Sequence, residues 1–214
     1  WRSALTHNLE GEFGTVNAAA PINPLAASAD VKLPDIVTLS LRHAITPNMR
    51  LLGTVEWSNW SRFDELRVTA GANGLTILNI DPLTRLPVGT TTAGGTIAAL
   101  PAEWVDGWFY SVGGEYDMNA KTTLRLGVAY EKSPVDDPTK RLVGIPDSNR
   151  VWTSLGLSYK WSASTTLDFA YTHVFLKEVG FDRSTIPSPR GAFREVGTID
   201  AETDIISVGM KTKW

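Results

Sequence analysis

The chain has 214 residues, no Cys, 18 Gly, 12 Pro and 8 Trp, with a formal net charge of −3 and a mean hydropathy of −0.08. The mild acidity argues against a nucleic-acid partner, which asks for a basic face, and the lack of Cys excludes disulfide staples and thiolate metal sites. No apolar run approaches the ~18 residues of a membrane helix, but strands that alternate apolar and polar residues cross a membrane at neutral mean hydropathy.

Strand-like alternation fills the chain. An opening strand is expected near residues 1–13. Val37, Leu39, Leu41, His43 and Ile45 then alternate with Thr38, Ser40, Arg42 and Ala44, a period-two pattern. Thr46, Pro47 and Asn48 make a tight turn, with Pro pre-setting φ. Leu51, Gly53, Val55 and Trp57 alternate with Leu52, Thr54, Glu56 and Ser58. That strand is expected to run on toward Val68, although the parity blurs around Asn59, Trp60 and Ser61. Tyr110, Val112, Gly114, Tyr116 and Met118 alternate with Ser111, Gly113, Glu115 and Asp117. After a turn at Asn119, Ala120 and Lys121, Leu124, Leu126, Val128 and Tyr130 alternate with Arg125, Gly127, Ala129 and Glu131. Val151, Thr153, Leu155, Leu157 and Tyr159 oppose Trp152, Ser154, Gly156, Ser158 and Lys160. A turn over 161–164 leads to Leu167, Phe169 and Tyr171 against Asp168, Ala170 and Thr172. Ile206, Val208, Met210, Thr212 and Trp214 against Ser207, Gly209, Lys211 and Lys213 close the series at about eight strands.

The expected connections alternate in length. Turns near 46–48, 119–121 and 161–164 are short, while loops near 14–33, 69–102, 132–147 and 177–201 are long. Outer-membrane barrels have short periplasmic turns and long external loops, and here every long loop falls on one side. One face of the strands carries Arg42, Glu56, Arg125, Glu131, Asp168 and Lys211. Burying such charges in a soluble core costs several kcal/mol each unless they are paired, whereas a wet lumen removes that cost. Tyr116, Tyr159, Trp161 and Trp214 fall at the short-turn ends, and Trp104, Trp108, Tyr130 and Phe175 near the long-loop ends. Two bands of this kind are expected of membrane-interface aromatics. A soluble β-sandwich or lipocalin-like barrel explains the alternation equally well. It leaves the alternating loop lengths, the two aromatic bands and the terminal aromatic unexplained. The fold expected is therefore all-β, a transmembrane antiparallel β-barrel.

Several stretches carry a family likeness. Leu33, Pro34 and Asp35 open a strand; Glu56, Trp57, Ser58, Asn59, Trp60, Ser61, Arg62, Phe63, Asp64, Glu65 and Leu66 form a tryptophan-rich run. Ser133, Pro134 and Val135 precede Ile145, Pro146, Asp147, Ser148, Asn149 and Arg150, and Asp204, Ile205, Ile206, Ser207, Val208 and Gly209 lead into the last strand. In these segments the chain resembles the C-terminal part of the FadL-type (OMPP1/FadL/TodX) outer-membrane transporters of long-chain fatty acids and other hydrophobic compounds. The resemblance implies a barrel of about 14 strands around an N-terminal plug. Residues 1–214 would be one barrel domain holding the last eight or so strands, with the plug and first strands preceding Trp1. It implies passive uptake in the bacterial outer membrane with no cofactor, and sideways exit of the ligand under control of the plug. The implied partners are a hydrophobic small molecule (fatty acid or hydrocarbon), outer-membrane lipid and lipopolysaccharide, and the barrel assembly machinery through the C-terminal strand; no nucleic acid is expected.

No catalytic set stands out. His7, His43 and His173 are widely spaced, and the metalloprotease, serine-hydrolase and phosphate-loop motifs are absent. No metal site is expected; Asp136 and Asp137 could meet a divalent ion, or simply be a solvated loop. The apolar stretch 97–102, including Leu100, precedes Trp104 and Trp108 and is a candidate ligand entrance. The alternative is that both Trp residues are interfacial anchors. Family members hold the ligand headgroup with basic residues, one of them before the strand near Trp104, yet residues 97–104 contain no Lys or Arg. That departure shifts weight toward neutral ligands such as aromatic hydrocarbons, unless Arg42, Arg125 or Arg150 takes a carboxylate. Each of those arginines could equally be a structural lumen charge. A general porin, a surface adhesion barrel and a barrel enzyme are the rival readings.

Overall fold

The computed structural model describes residues 6–14, 24–70, 77–80, 87–91, 96–141, 147–186 and 193–213. Its strands are β1 (Thr6–Gly14), β2 (Pro24–Lys32), β3 (Ile36–Thr46), β4 (Met49–Ser58), β5 (Glu65–Ala70), β6 (Ile77–Ile80), β7 (Pro87–Thr91), β8 (Thr96–Pro101), β9 (Gly107–Asp117), β10 (Thr122–Lys132), β11 (Arg150–Lys160), β12 (Thr165–Leu176), β13 (Val179–Ile186), β14 (Phe193–Ile199) and β15 (Glu202–Thr212). Seven of them form one wide antiparallel sheet in the order β15-β12-β11-β10-β9-β4-β3. Its connections alternate short and long, as the sequence predicts. The short turns are built from their own side chains. Asn119 Oδ1 accepts from the backbone N–H of Lys121 and Thr122 at 2.8 and 2.9 Å. Ser162 Oγ accepts from those of Ser164 and Thr165 at 3.2 and 3.0 Å. Both are the local Asx- and Ser-type turns these residues favour. The long connections carry β5–β8 and β13–β14, while β1 and β2 precede β3; these strands form sheets ordered β1-β2-β5-β8, β13-β14 and β6-β7.

Three expectations about the strands change. The opening strand exists as β1, but it pairs with β2 rather than with the wide sheet, which therefore has seven strands rather than about eight. The strand through Trp57 stops at Ser58, and Trp60–Arg62 forms a single 3-10 turn before β5 enters another sheet. The break is held by Asn59 N–H donating to Asp35 O at 2.9 Å and by Asp106, which accepts from Trp57 Nε1 at 3.0 Å and Ser61 N–H at 3.2 Å. The stretch around Leu100, read as loop, is strand β8, paired with β5.

The distribution of apolar side chains inverts that of a soluble sheet. Leu39, Ile206 and Val208 are 75, 78 and 71 % exposed, whereas the buried apolar residues among those described are Ala29, Ala102, Val135 and Val174. Exposed apolar surface on this scale requires an apolar medium. The band also slides across the sheet. Its uppermost outward residue is Val37 on β3 but Ile206 on β15, and Ile206 shares the cross-strand row of His43, six residues nearer the short-turn end. Six residues of offset over six strand spacings corresponds to a strand tilt of about 35°, within the range of membrane barrels. The tilt carries Glu202 and Asp204 above the band and His43 toward its lower margin.

Candidate ligand-facing wall

The opposite face of the sheet is polar at both ends and small or apolar between. Leu52, Gly113, Gly127, Ser154, Thr172 and Ile205 lie in one cross-strand row. Above them, toward the long loops, lie Phe109 and Trp152. A concavity of about 660 Å³ rests on these residues, with Arg42 at the β3 end of the row and Arg125 on its short-turn side.

Below the concavity, register brings charges together from strands far apart in sequence. Arg50 on β4, Glu115 on β9 and Arg125 on β10 are direct cross-strand neighbours. Glu115 accepts from Arg50 Nε at 2.7 Å, Arg125 Nε at 3.0 Å and Arg42 Nη2 at 3.2 Å. Arg50 turns its other two nitrogens to Asp117 at 2.6 and 2.8 Å. Arg125 Nη1 donates to Ser158 Oγ at 2.6 Å, and Ser158 donates to Asp168. Arg125 has room to lie along the wall because the next residue in the row is Gly156; a Cβ there would sit 3.4 Å from Arg125 Cβ. Alternating opposite charges across neighbouring strands stabilise the pairing.

The candidate residues separate into distinct places. Arg42 and Arg125 converge on Glu115. Arg150 lies apart, at the long-loop end, where it pairs with Asp147 and stands 3.5 Å from Glu131. Trp104 packs in a loop cluster, its ring 5.3 Å from Trp60 and 4.9 Å from Phe63, with its indole N–H buried and unpaired. Trp108 stacks on Tyr110 at 5.9 Å, and Tyr110 belongs to the exposed apolar face. Leu100 lies opposite Leu66 in the β5–β8 pair. Trp104 and Trp108 thus meet different surroundings. Tyr116, Tyr159 and Trp161 are exposed near the short turns, with Tyr159 and Trp161 edge to face at 6.4 Å. Trp214 lies outside the described residues.

The loops above the sheet are cross-linked. Buried Arg141 donates to the carbonyls of Val135 (2.8 Å), Asp147 (3.0 Å) and Gly180 (2.5 Å), tying the β10–β11 loop to β13. Lys140 pairs with Glu103 at 2.7 Å, and the carboxylate beside it raises the Lys140 pKa. Burial pushes the Asp106 carboxyl up, but hydrogen bonds from Ser61 and Trp57 outweigh it and hold the pKa below the ordinary value. Asp137 accepts from Thr139 N–H and Oγ1, both at 2.8 Å, and its pKa is lowered for that reason. No group of three or more metal-ligating side chains converges among the described residues. Sequence reading missed Arg50, Glu115 and Asp117 as a unit and Arg141 altogether. The first three sat on the polar parity of their strands, a signal that needs the strand order to become a cluster. Arg141 carries no signal in the sequence.

A family profile described as outer membrane transport protein (OMPP1/FadL/TodX) matches residues 1–213. The chain is 26 % identical over 195 residues to a putative outer membrane protein of Neisseria meningitidis serogroup B, covering 85 % of this chain and 39 % of that one. It is 25 % identical over 185 residues to the long-chain fatty acid transport protein of Escherichia coli O6:H1, covering 85 % and 36 %. Among solved structures, a Pseudomonas aeruginosa FadL homologue superposes with a TM-score of 0.72 at 26 % identity, over 88 % of this chain and 38 % of that one. The Pseudomonas putida toluene transporter TodX shares the fold, with a TM-score of 0.54 at 19 % identity over 96 % and 42 %. The chain spans about two fifths of the length of these relatives. The family is one of transport proteins and not of enzymes. With its inverted apolar face, tilted antiparallel strands and one-sided long loops, the chain belongs to the OMPP1/FadL/TodX family of outer membrane transport proteins, and its wide sheet is β-barrel wall in the outer membrane.

Proposed function

We propose that this protein carries hydrophobic compounds across the outer membrane by passive diffusion, with long-chain fatty acids as the first ligand class and neutral hydrocarbons as the second. The observation that carries this reading is the apolar concavity of about 660 Å³ set into an otherwise polar inner face. Passage of an apolar molecule needs a surface of this kind and no reacting group. The name of the Escherichia coli relative supports the fatty-acid class.

On the same reading, residues 1–214 are one barrel domain. Its outer face meets outer-membrane lipid and lipopolysaccharide, and its last strand engages the barrel assembly machinery. Leu100 and Trp104 belong to the entrance at the long-loop end, and Trp108 is an interfacial anchor. The test is initial uptake of labelled palmitate and toluene by cells with and without the gene. Loss of uptake of at least one on deletion, with restoration by the intact gene, is expected. Unchanged uptake of both, together with free ion conductance in planar bilayers, would make the protein a general porin instead.

A further inference from the structure

We propose that the short-turn end of this wall docks an acidic polypeptide segment presented from the periplasm. The docking surface is a file of four lysines on the inner face.

Register assembles the file from four adjacent strands. Lys121 stands just before β10, and Lys160, at the end of β11, donates its backbone N–H to the Lys121 carbonyl at 2.9 Å. Lys160 is paired with Thr166 on β12, and Thr166 with Lys211 on β15. Lys213 lies just past β15, its backbone N–H donating to Ser164 O at 2.9 Å. All four lysines are exposed, and all share the parity of Arg125, Ser158 and Asp168.

The carboxylates of the next inner row do not balance them. Asp117 accepts from Arg50 at 2.6 and 2.8 Å and from Thr123 Oγ1 at 2.6 Å, and Lys160 acts on it through charge alone. Asp168 accepts from Ser158 and stands 4.0 Å from Arg125. It keeps its second oxygen open, but one carboxylate cannot balance four ammonium groups. Like charges directly opposite each other on neighbouring strands weaken the pairing. Lys121 against Lys160 is such a pair, and an anion from outside relieves it.

The spacing selects the occupant. From β10 to β15 the file crosses three strand spacings, roughly 15 Å, which no single carboxylate or phosphate bridges. About four or five extended residues cover that length, and their side chains on one face repeat every ~7 Å. A lipid headgroup fits less well. The opposite parity at this level, which faces lipid, carries Tyr159 with Trp161 against its ring. Short turns of outer-membrane barrels face the periplasm, so the segment arrives from that side.

The experiment uses the full-length protein in nanodiscs of phosphatidylcholine and a fluorescein-labelled decaglutamate peptide, read by anisotropy, with decaglutamine as control. Saturable binding of decaglutamate alone is expected, weakening as salt is added. Lys121→Gln combined with Lys160→Gln and Lys211→Gln should lower the affinity about tenfold or more. Lys177→Gln, at the long-loop end, should leave it unchanged. The triple variant removes a like-charge pair, so its urea unfolding should show at least wild-type stability, which separates lost docking from lost structure. Should it not fold, Lys211→Gln with Lys213→Gln is read in its place, with a severalfold loss expected. Absence of saturable binding to wild type, or equal affinity of wild type and the lysine variants, overturns the proposal. Retention of phosphatidylglycerol by wild type but not by the triple variant in native mass spectra assigns the lysines to lipid headgroups and overturns it as well.

Discussion

Glu103 holds a conformation its residue type disfavours. Its φ is 45°, in the left-handed region, as the chain turns from β8 toward β9. The backbone N–H groups of Ala102 and Glu103 both donate to Asp64 O, at 2.8 and 2.9 Å, and fix the bend that aims Trp104 into its cluster with Trp60 and Phe63. The side chain does little to repay the strain, because its pair with Lys140 is exposed and such pairs are weak. Glu103→Gly is therefore expected to be at least as stable as wild type. Glu103→Val, β-branched at positive φ, should cost about 1–2 kcal/mol. Urea unfolding in detergent, with loop proteolysis as a local readout, distinguishes the two; equal stability of both variants would show that the bend carries no strain. Nothing in the sequence marks Glu103, because the requirement comes from how Asp64 is presented by the segment before β5.

At the scale of elements, β15 shows how strictly the two faces differ. Ile206 and Val208 point to the exposed apolar side, and Ser207 lies between them on the wall that carries Arg50, Glu115 and Arg125. A Lys on the lipid side of a barrel strand costs about 2–4 kcal/mol at the midplane, while the lumen tolerates it. Val208→Lys should reduce the yield of folded protein in vesicles sharply, and Ser207→Lys should leave it near wild type. Equal losses would mean that the last strand does not present its odd and even residues to lipid and lumen. The short turns and strand faces were legible because period two, Asn119 and Ser162 act within a few residues. The end of β4 was not. Its alternation could run through Trp60, and the stop depends on Asp35 and Asp106, which approach only when β3 and β9 flank β4.

For the molecule as a whole, the parity of the wide sheet matters. It has seven antiparallel strands, so its edges β3 and β15 both run from the long loops to the short turns. Both edge strands are exposed along their whole length. Joining them directly would need a parallel pair, whereas outer-membrane barrels close antiparallel, and open edges are costly in lipid. Closure of this wall on the antiparallel pattern is expected to take an odd number of strands between β15 and β3. The 214-residue chain refolded alone is expected to give no compact, heat-modifiable monomer on gel electrophoresis. Such a species would show that the two edges can meet.

Local chemistry in the sequence determined the all-β class, the alternation of faces, the short turns and the side on which the long loops lie. Each of these depends on neighbours one to four residues apart. The tertiary structure alone decided which strands adjoin. Strand order sets Arg50 beside Glu115 and Glu115 beside Arg125, across more than sixty residues in the first case. It also gathers Val135, Asp147 and Gly180 around Arg141. Whether a lumen arginine is open to a ligand or held by a carboxylate follows from that order, because a charge pair is made by distance in space.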